Sequence, residues 1–281
     1  MTYGIVVDSG CDLTSLKPEL KHEINFTRVA LKLDIGEKEF VDDFNLDTKE
    51  FMKEMTAYKG KTGSAAPSPH DWLTAYEKSD HVFAITITGT LSGSYASAKT
   101  ALDLFKTQYP ERKIHLIDSK SAGPEIALIA HKLTEYIHQG MSFEDIVKSI
   151  EKYRRRTHLL FVLKSLDNLV KNGRISKLQA NLAGVLGIKI LGTASDEGTL
   201  ELLQKCRGKM TAYDKAVEEM LARGYKGGHV VITHCFALET AEYVASSIKN
   251  KFPDCTVDII PTSGLCSYYA EQGGILIGFE E

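Results

Sequence analysis

The chain has 281 residues, with 34 Lys+Arg against 37 Asp+Glu and a formal net charge of -3. An apolar share of 43% is enough to offset chain entropy, which excludes a disordered protein, and the near-neutral charge leaves no electrostatic footprint for nucleic acid. Five cysteines, Cys11, Cys206, Cys235, Cys255 and Cys266, form no CxxC pair, which argues against a zinc site and for a reduced compartment.

The first residues show no basic segment leading into an apolar run. No stretch approaches the roughly 18 uncharged apolar residues of a membrane span. The expectation is a soluble, cytoplasmic protein. Ile5-Val6-Val7 then reads as a buried strand that ends in Asp8-Ser9-Gly10. Ser68-Pro69-His70-Asp71 places a capping Ser, a Pro at the first helical position and an Asp at N3, and so starts a helix carrying Trp72, Leu73 and Tyr76. Val82 to Ile87 is a strand ending in Thr88-Gly89-Thr90. Ser94 to Gln108 follows as a helix with Ala98, Leu102 and Phe105 on one face. Ile114 to Ile117 is a third strand, ending in Asp118-Ser119-Lys120-Ser121, and helices follow over Ala127–His138 and from Ser142.

The composition changes after Tyr153. A basic run, Arg154-Arg155-Arg156, precedes a strand over Leu159–Leu163. Leu166–Val170 and Leu178–Leu186 read as helical, and Ile188–Leu191 and Leu200–Leu203 as strands around the turn Ser195-Asp196-Glu197-Gly198. Beyond them come a helix over Met210–Ala222, a strand over His229–Thr233, a helix over Glu239–Lys249 and strands over Val257–Ile260 and Ile275–Phe279. The alternation predicts α/β architecture. A domain boundary is placed near residue 155, giving 1–155 and 156–281.

Three N-terminal strands share one grammar: an apolar run, then small hydroxylated residues at the carboxyl end. That end is where ligands bind in parallel α/β sheets. The same residues also serve as ordinary turn and cap residues. Neither GxxxxGK[ST] nor GxGxxG is present. Ser92-Gly93-Ser94 at a helix start can hold an anion through backbone N–H groups. The nine histidines show no HxxxH spacing, and no metal site is expected. A serine elbow is absent, although Ser92, His234 and Asp8 could in principle form a triad. Cys11 at a helix start is a candidate thiol or a plain packed turn residue. Many hydroxyls without an evident acid, base or metal fit a site that binds a carboxylate or phosphate without transforming it.

Several segments together resemble the DegV family, bacterial proteins that bind fatty acids. They are Ile5–Leu13, Ser64-Ala65-Ala66-Pro67-Ser68-Pro69, Leu91-Ser92-Gly93-Ser94-Tyr95, Ile117–Ser121, Asn172-Gly173-Arg174-Ile175-Ser176 and Gly187-Ile188-Lys189. They occur in the family's order and span nearly the whole chain. The resemblance implies an N-terminal three-layer α/β/α domain with a mainly parallel sheet. It also implies a C-terminal two-layer α/β domain with a mixed sheet, and a lipid between the two. It implies a carrier of a long-chain fatty acid such as palmitate, stearate or oleate, with no other cofactor and no catalysis of its own. A separate acyl kinase would phosphorylate the bound carboxylate.

On this resemblance Ser64, with Thr62 as the near alternative, and Ser92 with Gly93 hold the carboxylate, while Arg174 meets the kinase. The family often ends in a His-x-Gly-Pro-Gly segment whose His helps hold the head group. Here Ala270 stands in that place when the glycines Gly273-Gly274 are aligned. Tyr268, Tyr269 and Gln272 are the neighbouring neutral donors that can reach the head group instead. A lipid-sensing regulator and a hydrolase using Ser92 or Cys11 are the competing readings.

Overall fold

The computed structural model describes residues 2–16, 24–176 and 187–281. The helix expected over Leu178–Leu186 lies outside the described residues. The first sheet has the order β2-β1-β6-β7, from Ile24–Val29, Tyr3–Asp8, His81–Thr86 and Lys113–Asp118. All its pairings are parallel. Strand β6 is buried at every position, as expected for a strand covered on both faces.

The second sheet has six strands in the order β10-β9-β8-β13-β11-β12. They are Leu200–Arg207, Ile188–Ala194, Thr157–Leu163, Ile275–Glu280, Val230–His234 and Val257–Pro261. Only β11 and β12 pair in parallel; the other neighbours are antiparallel. The chain is therefore mixed α/β, with one parallel and one mixed sheet. Helices α7 (Thr211–Ala222) and α8 (Leu238–Lys251) cover one face of the mixed sheet.

A third, small sheet was not foreseen. Its order is β4-β3-β5, from Lys38–Val41, Lys32–Ile35 and Thr62–Ala65. These strands have four residues each. In β3 the buried Leu33 and Ile35 alternate with Lys32 and Asp34, a period of two repeated too few times to stand out from sequence noise. Helix α1 (Thr48–Ala57), capped by Asp47, connects β4 to β5 and was likewise missed.

Helices α2 (Pro69–Tyr76) and α3 (Ser94–Gln108) pack together on the outer face of the parallel sheet. The expected capping box is present: Ser68 Oγ accepts from Asp71 N at 3.2 Å, and the Asp71 carboxylate accepts from Ser68 N at 2.8 Å. Helix α4 (Pro124–His138) behaves differently. Ile126, Ala127, Leu128, Ile129 and Ala130 are all buried, and five successive residues cover every face of a helix. The cause is its position between sheets. It packs on β1 and β6 on one side and on β8, β11 and β13 on the other. Gly278 of β13 permits this approach, because a Cβ there would lie 2.8 Å from the Pro124 carbonyl carbon. One continuous apolar cluster consequently joins the two large sheets. Helix α5 (Phe143–Arg154) packs against α4, and the short α6 (Asp167–Lys171) follows β8.

Candidate functional site

The site grows from the carboxyl ends of β1 and β6. Asp8 closes β1 and is fully buried. Its carboxylate accepts from Ile87 N at 2.9 Å, Gly10 N at 3.0 Å and Ser94 Oγ at 2.6 Å. Burial pushes its carboxyl up to about 6, against these hydrogen bonds, which favour the charged form. Asp8 thus ties the start of α3 to both strands. The turn between them is closed by Leu91 N and Ser92 N donating to Thr88 O, each at 3.2 Å. Ser92 Oγ accepts from Ser94 N at 3.2 Å. Gly93 caps α3 with ordinary helical backbone angles.

Ser64 arrives from β5, where it pairs with Leu33. In a strand, residues two apart share a face, and Thr62 and Ser64 both face helix α9 (Gly264–Ala270). Thr62 Oγ1 meets Tyr268 OH at 2.7 Å, and Ser64 Oγ meets Tyr269 OH at 2.9 Å. Asn172 Nδ2 donates to Tyr268 OH at 2.8 Å as well, and Tyr268 is fully buried.

Helix α9 opens on a glycine and has only seven residues, so its own propensity is poor. Its start is held from outside. The Asp42 carboxylate accepts from Gly264 N at 2.8 Å and Leu265 N at 2.7 Å, and Asp12 Oδ1 accepts from Ser263 N at 2.9 Å. These charge-assisted bonds satisfy first-turn donors that otherwise lack partners.

Between the sheets, α9 and α6 lies an apolar cavity. Its walls are apolar: Leu31, Ile87, Leu91 and Ala122 from the first half, and Leu159, Phe161, Leu163, Leu169, Leu200, Leu265, Cys266, Ala270 and Leu276 from the second. Four polar residues complete the lining: Ser64, Ser92, Arg174 and Tyr269. They fall into two groups. Ser64 bonds Tyr269, while Arg174 Nε donates to Leu91 O at 3.0 Å, beside Ser92, and Arg174 also donates to Asn172 O. Burial raises the Tyr269 phenol above its ordinary value, which keeps it a neutral donor.

Of the residues singled out from sequence, Ser64, Ser92, Arg174, Tyr269 and Ala270 meet at this cavity. Thr62 and Tyr268 sit behind it, bonded to each other. Gly93 lies beside it, at the start of α3. Gln272 lies in a separate depression with Lys164, Lys189 and Lys209. His234 lies in another, where its Nδ1 accepts from Ala237 N at 3.3 Å. Cys11 is buried and its thiol is pushed up to about 12, so it is protonated at neutral pH. Among the described residues no group of His, Cys, Asp and Glu is arranged to hold a metal.

The apolar walls and the bracing Asp12 and Asp42 escaped sequence reading. The alternation Leu159, Phe161, Leu163 in β8 is the one signal that marks a cavity face.

The sequence profile described as "Uncharacterised protein, DegV family" matches residues 2–281. A DegV domain-containing protein of Streptococcus pneumoniae is 45% identical over 280 residues, covering 100% of this chain and 99% of the relative. The structure of the Fatty Acid Kinase B3 protein of Streptococcus pneumoniae, loaded with linoleic acid, is 45% identical with a TM-score of 0.97. It covers 100% of this chain and 99% of that one. The structure of a DegV family protein from Eubacterium eligens, loaded with heptadecanoic acid, is 38% identical with a TM-score of 0.95, and covers 99% of both chains.

Proposed function

Because this chain belongs to the DegV family, we propose that it binds one long-chain fatty acid, with the tail in the apolar cavity and the carboxylate at Ser64, Ser92, Arg174 and Tyr269. The observation that carries this reading is the cavity itself: extended apolar walls with a few hydroxyl and guanidinium donors among them. Burying a methylene is worth about 0.8 kcal/mol, so a tail of roughly 14 contributes on the order of 11 kcal/mol before ordering costs. A carboxylate bonded by hydroxyls adds charge-assisted bonds of the stronger class. Tail burial therefore supplies the affinity and the donor set fixes the orientation.

The protein acts on this reading as a carrier. The division into residues 1–155 and 156–281 belongs to it, since the cavity takes its walls from both parts. The chain presents the carboxylate to a separate, cytoplasmic acyl kinase; the relationship to a protein named for fatty acid kinase supports that role. No helix among the described residues is long and apolar enough to cross a membrane. Denaturing mass spectrometry of lipid extracted from the purified protein tests the reading. A stoichiometric long-chain fatty acid is expected, and protein that carries none after growth on such acids, and takes none up when they are added, sinks it.

A further inference from the structure

On the cavity face of the mixed sheet, the row through Phe161 lacks a side chain at Gly192. Leu276 pairs with Phe161, Phe161 with Gly192, and Gly192 with Leu202. Leu276 and Phe161 line the cavity, whereas Gly192 does not reach it. The Phe161 ring fills the space the glycine leaves. A Cβ on Gly192 would lie 2.2 Å from Phe161 Cζ and 2.5 Å from Cε2, far inside van der Waals contact. Phe161 therefore lies flat along the sheet, with its tip over the Gly192 backbone. Gly192 is not among the positive-φ glycines, so room rather than backbone conformation requires a glycine here.

We infer that Gly192 is a positioning residue for acyl selection. By letting Phe161 lie down, it keeps the cavity deep enough for a long chain. Any larger residue at 192 lifts the ring off the sheet, and the void it faces is the cavity. Protein interiors transmit such displacements because they are close-packed. The inference rests on the fatty-acid reading above and adds to it the residue pair that sets which chains fit.

Competitive binding of lauric and oleic acids to the delipidated full chain tests it. Gly192→Ala is expected to lower oleate affinity relative to laurate by about tenfold, the scale of a misfitted methylene in an apolar pocket. Glu201 O also lies 2.5 Å from the same Cβ, so this variant can fail to fold. Phe161→Leu leaves Gly192 in place and should raise the oleate-to-laurate ratio. The double variant should regain oleate binding, which a backbone defect alone would not allow. An unchanged ratio in Phe161→Leu, or in folded Gly192→Ala, overturns the inference while leaving the fatty-acid reading intact. A wild-type protein that binds neither acid overturns both.

Discussion

Ser64 Oγ and Tyr269 OH lie 2.9 Å apart, although the two residues are 205 positions apart in the chain. The contact joins the small sheet to α9 at the wall of the cavity. Tyr268, the preceding residue, points its hydroxyl to Thr62 and Asn172 instead. Two adjacent tyrosines with the same chemistry therefore have different predicted roles.

Tyr269→Phe, Ser64→Ala and Ser92→Ala should each weaken fatty-acid binding by about 1.5–3 kcal/mol, the cost of removing one hydrogen bond to a charged group. The Ser64/Tyr269 double variant should fall short of the sum, because the two hydroxyls act as one unit. Tyr268→Phe should lower the melting temperature and leave ligand affinity unchanged. Calorimetric titration decides the matter: a loss of affinity in Tyr268→Phe that matches Tyr269→Phe would contradict the assignment.

Arg174 lines the cavity and is held by the carbonyls of Leu91 and Asn172. Arg174→Ala should reduce affinity for a fatty acid by about 1.5–3 kcal/mol. Binding of the fatty alcohol with the same tail should change little. Equal losses for acid and alcohol would show a packing role only. An intact acid affinity with lost phosphorylation by a cognate kinase would assign the residue to the partner instead.

The β9–β10 turn clasps the loop that bears Ser92. Thr90 Oγ1 donates to Gly198 O at 2.6 Å, and Gly198 has φ +83 with its Cα facing Thr88. A Cβ at Gly198 would lie 2.1 Å from Thr88 Oγ1. Gly198→Ala should therefore push the turn away and add backbone strain of about 1–3 kcal/mol. Faster ligand release is expected in stopped-flow exchange. Thr90→Val should share the effect more weakly, by about 1 kcal/mol, and Thr90→Ser should not. Release rates that match wild type in all three would reject the clasp.

Asp42 braces α9, and burial pushes its carboxyl from the ordinary 3.8 to about 6. The folded state thus holds the proton more tightly than the unfolded chain. This contribution is full below 3.8 and is lost as pH rises through about 6. At about 1.4 kcal/mol per unit it amounts to about 3 kcal/mol. Asp42→Asn lacks it, so the variant should lose stability relative to wild type as pH falls from 7 to 4. Denaturant unfolding at both pH values checks this, and a difference that stays constant with pH would refute it.

The sequence alone determined the large elements and singled out Ser64 and Ser92, which line the cavity. Long apolar runs and capping residues are local signals: strands β1, β6, β7 and β8 and helices α2, α3 and α5 need only their own residues to be legible. The turn at Ser92 and the hydroxyl at Ser64 were legible because each sits in a short motif. What the tertiary structure decided is which of these residues meet. Whether Tyr268 or Tyr269 faces the cavity depends on the rotation of α9, whose first turn is held by Asp42, some 220 positions away, and by Asp12. The four-residue strands are too short for their alternation to be read, and they form because neighbouring chain covers them. The cavity is a void, set by where α4 holds two sheets apart and by which side chains are missing from a row, as at Gly192. No single segment encodes such a space, because its walls come from residues that only packing brings together.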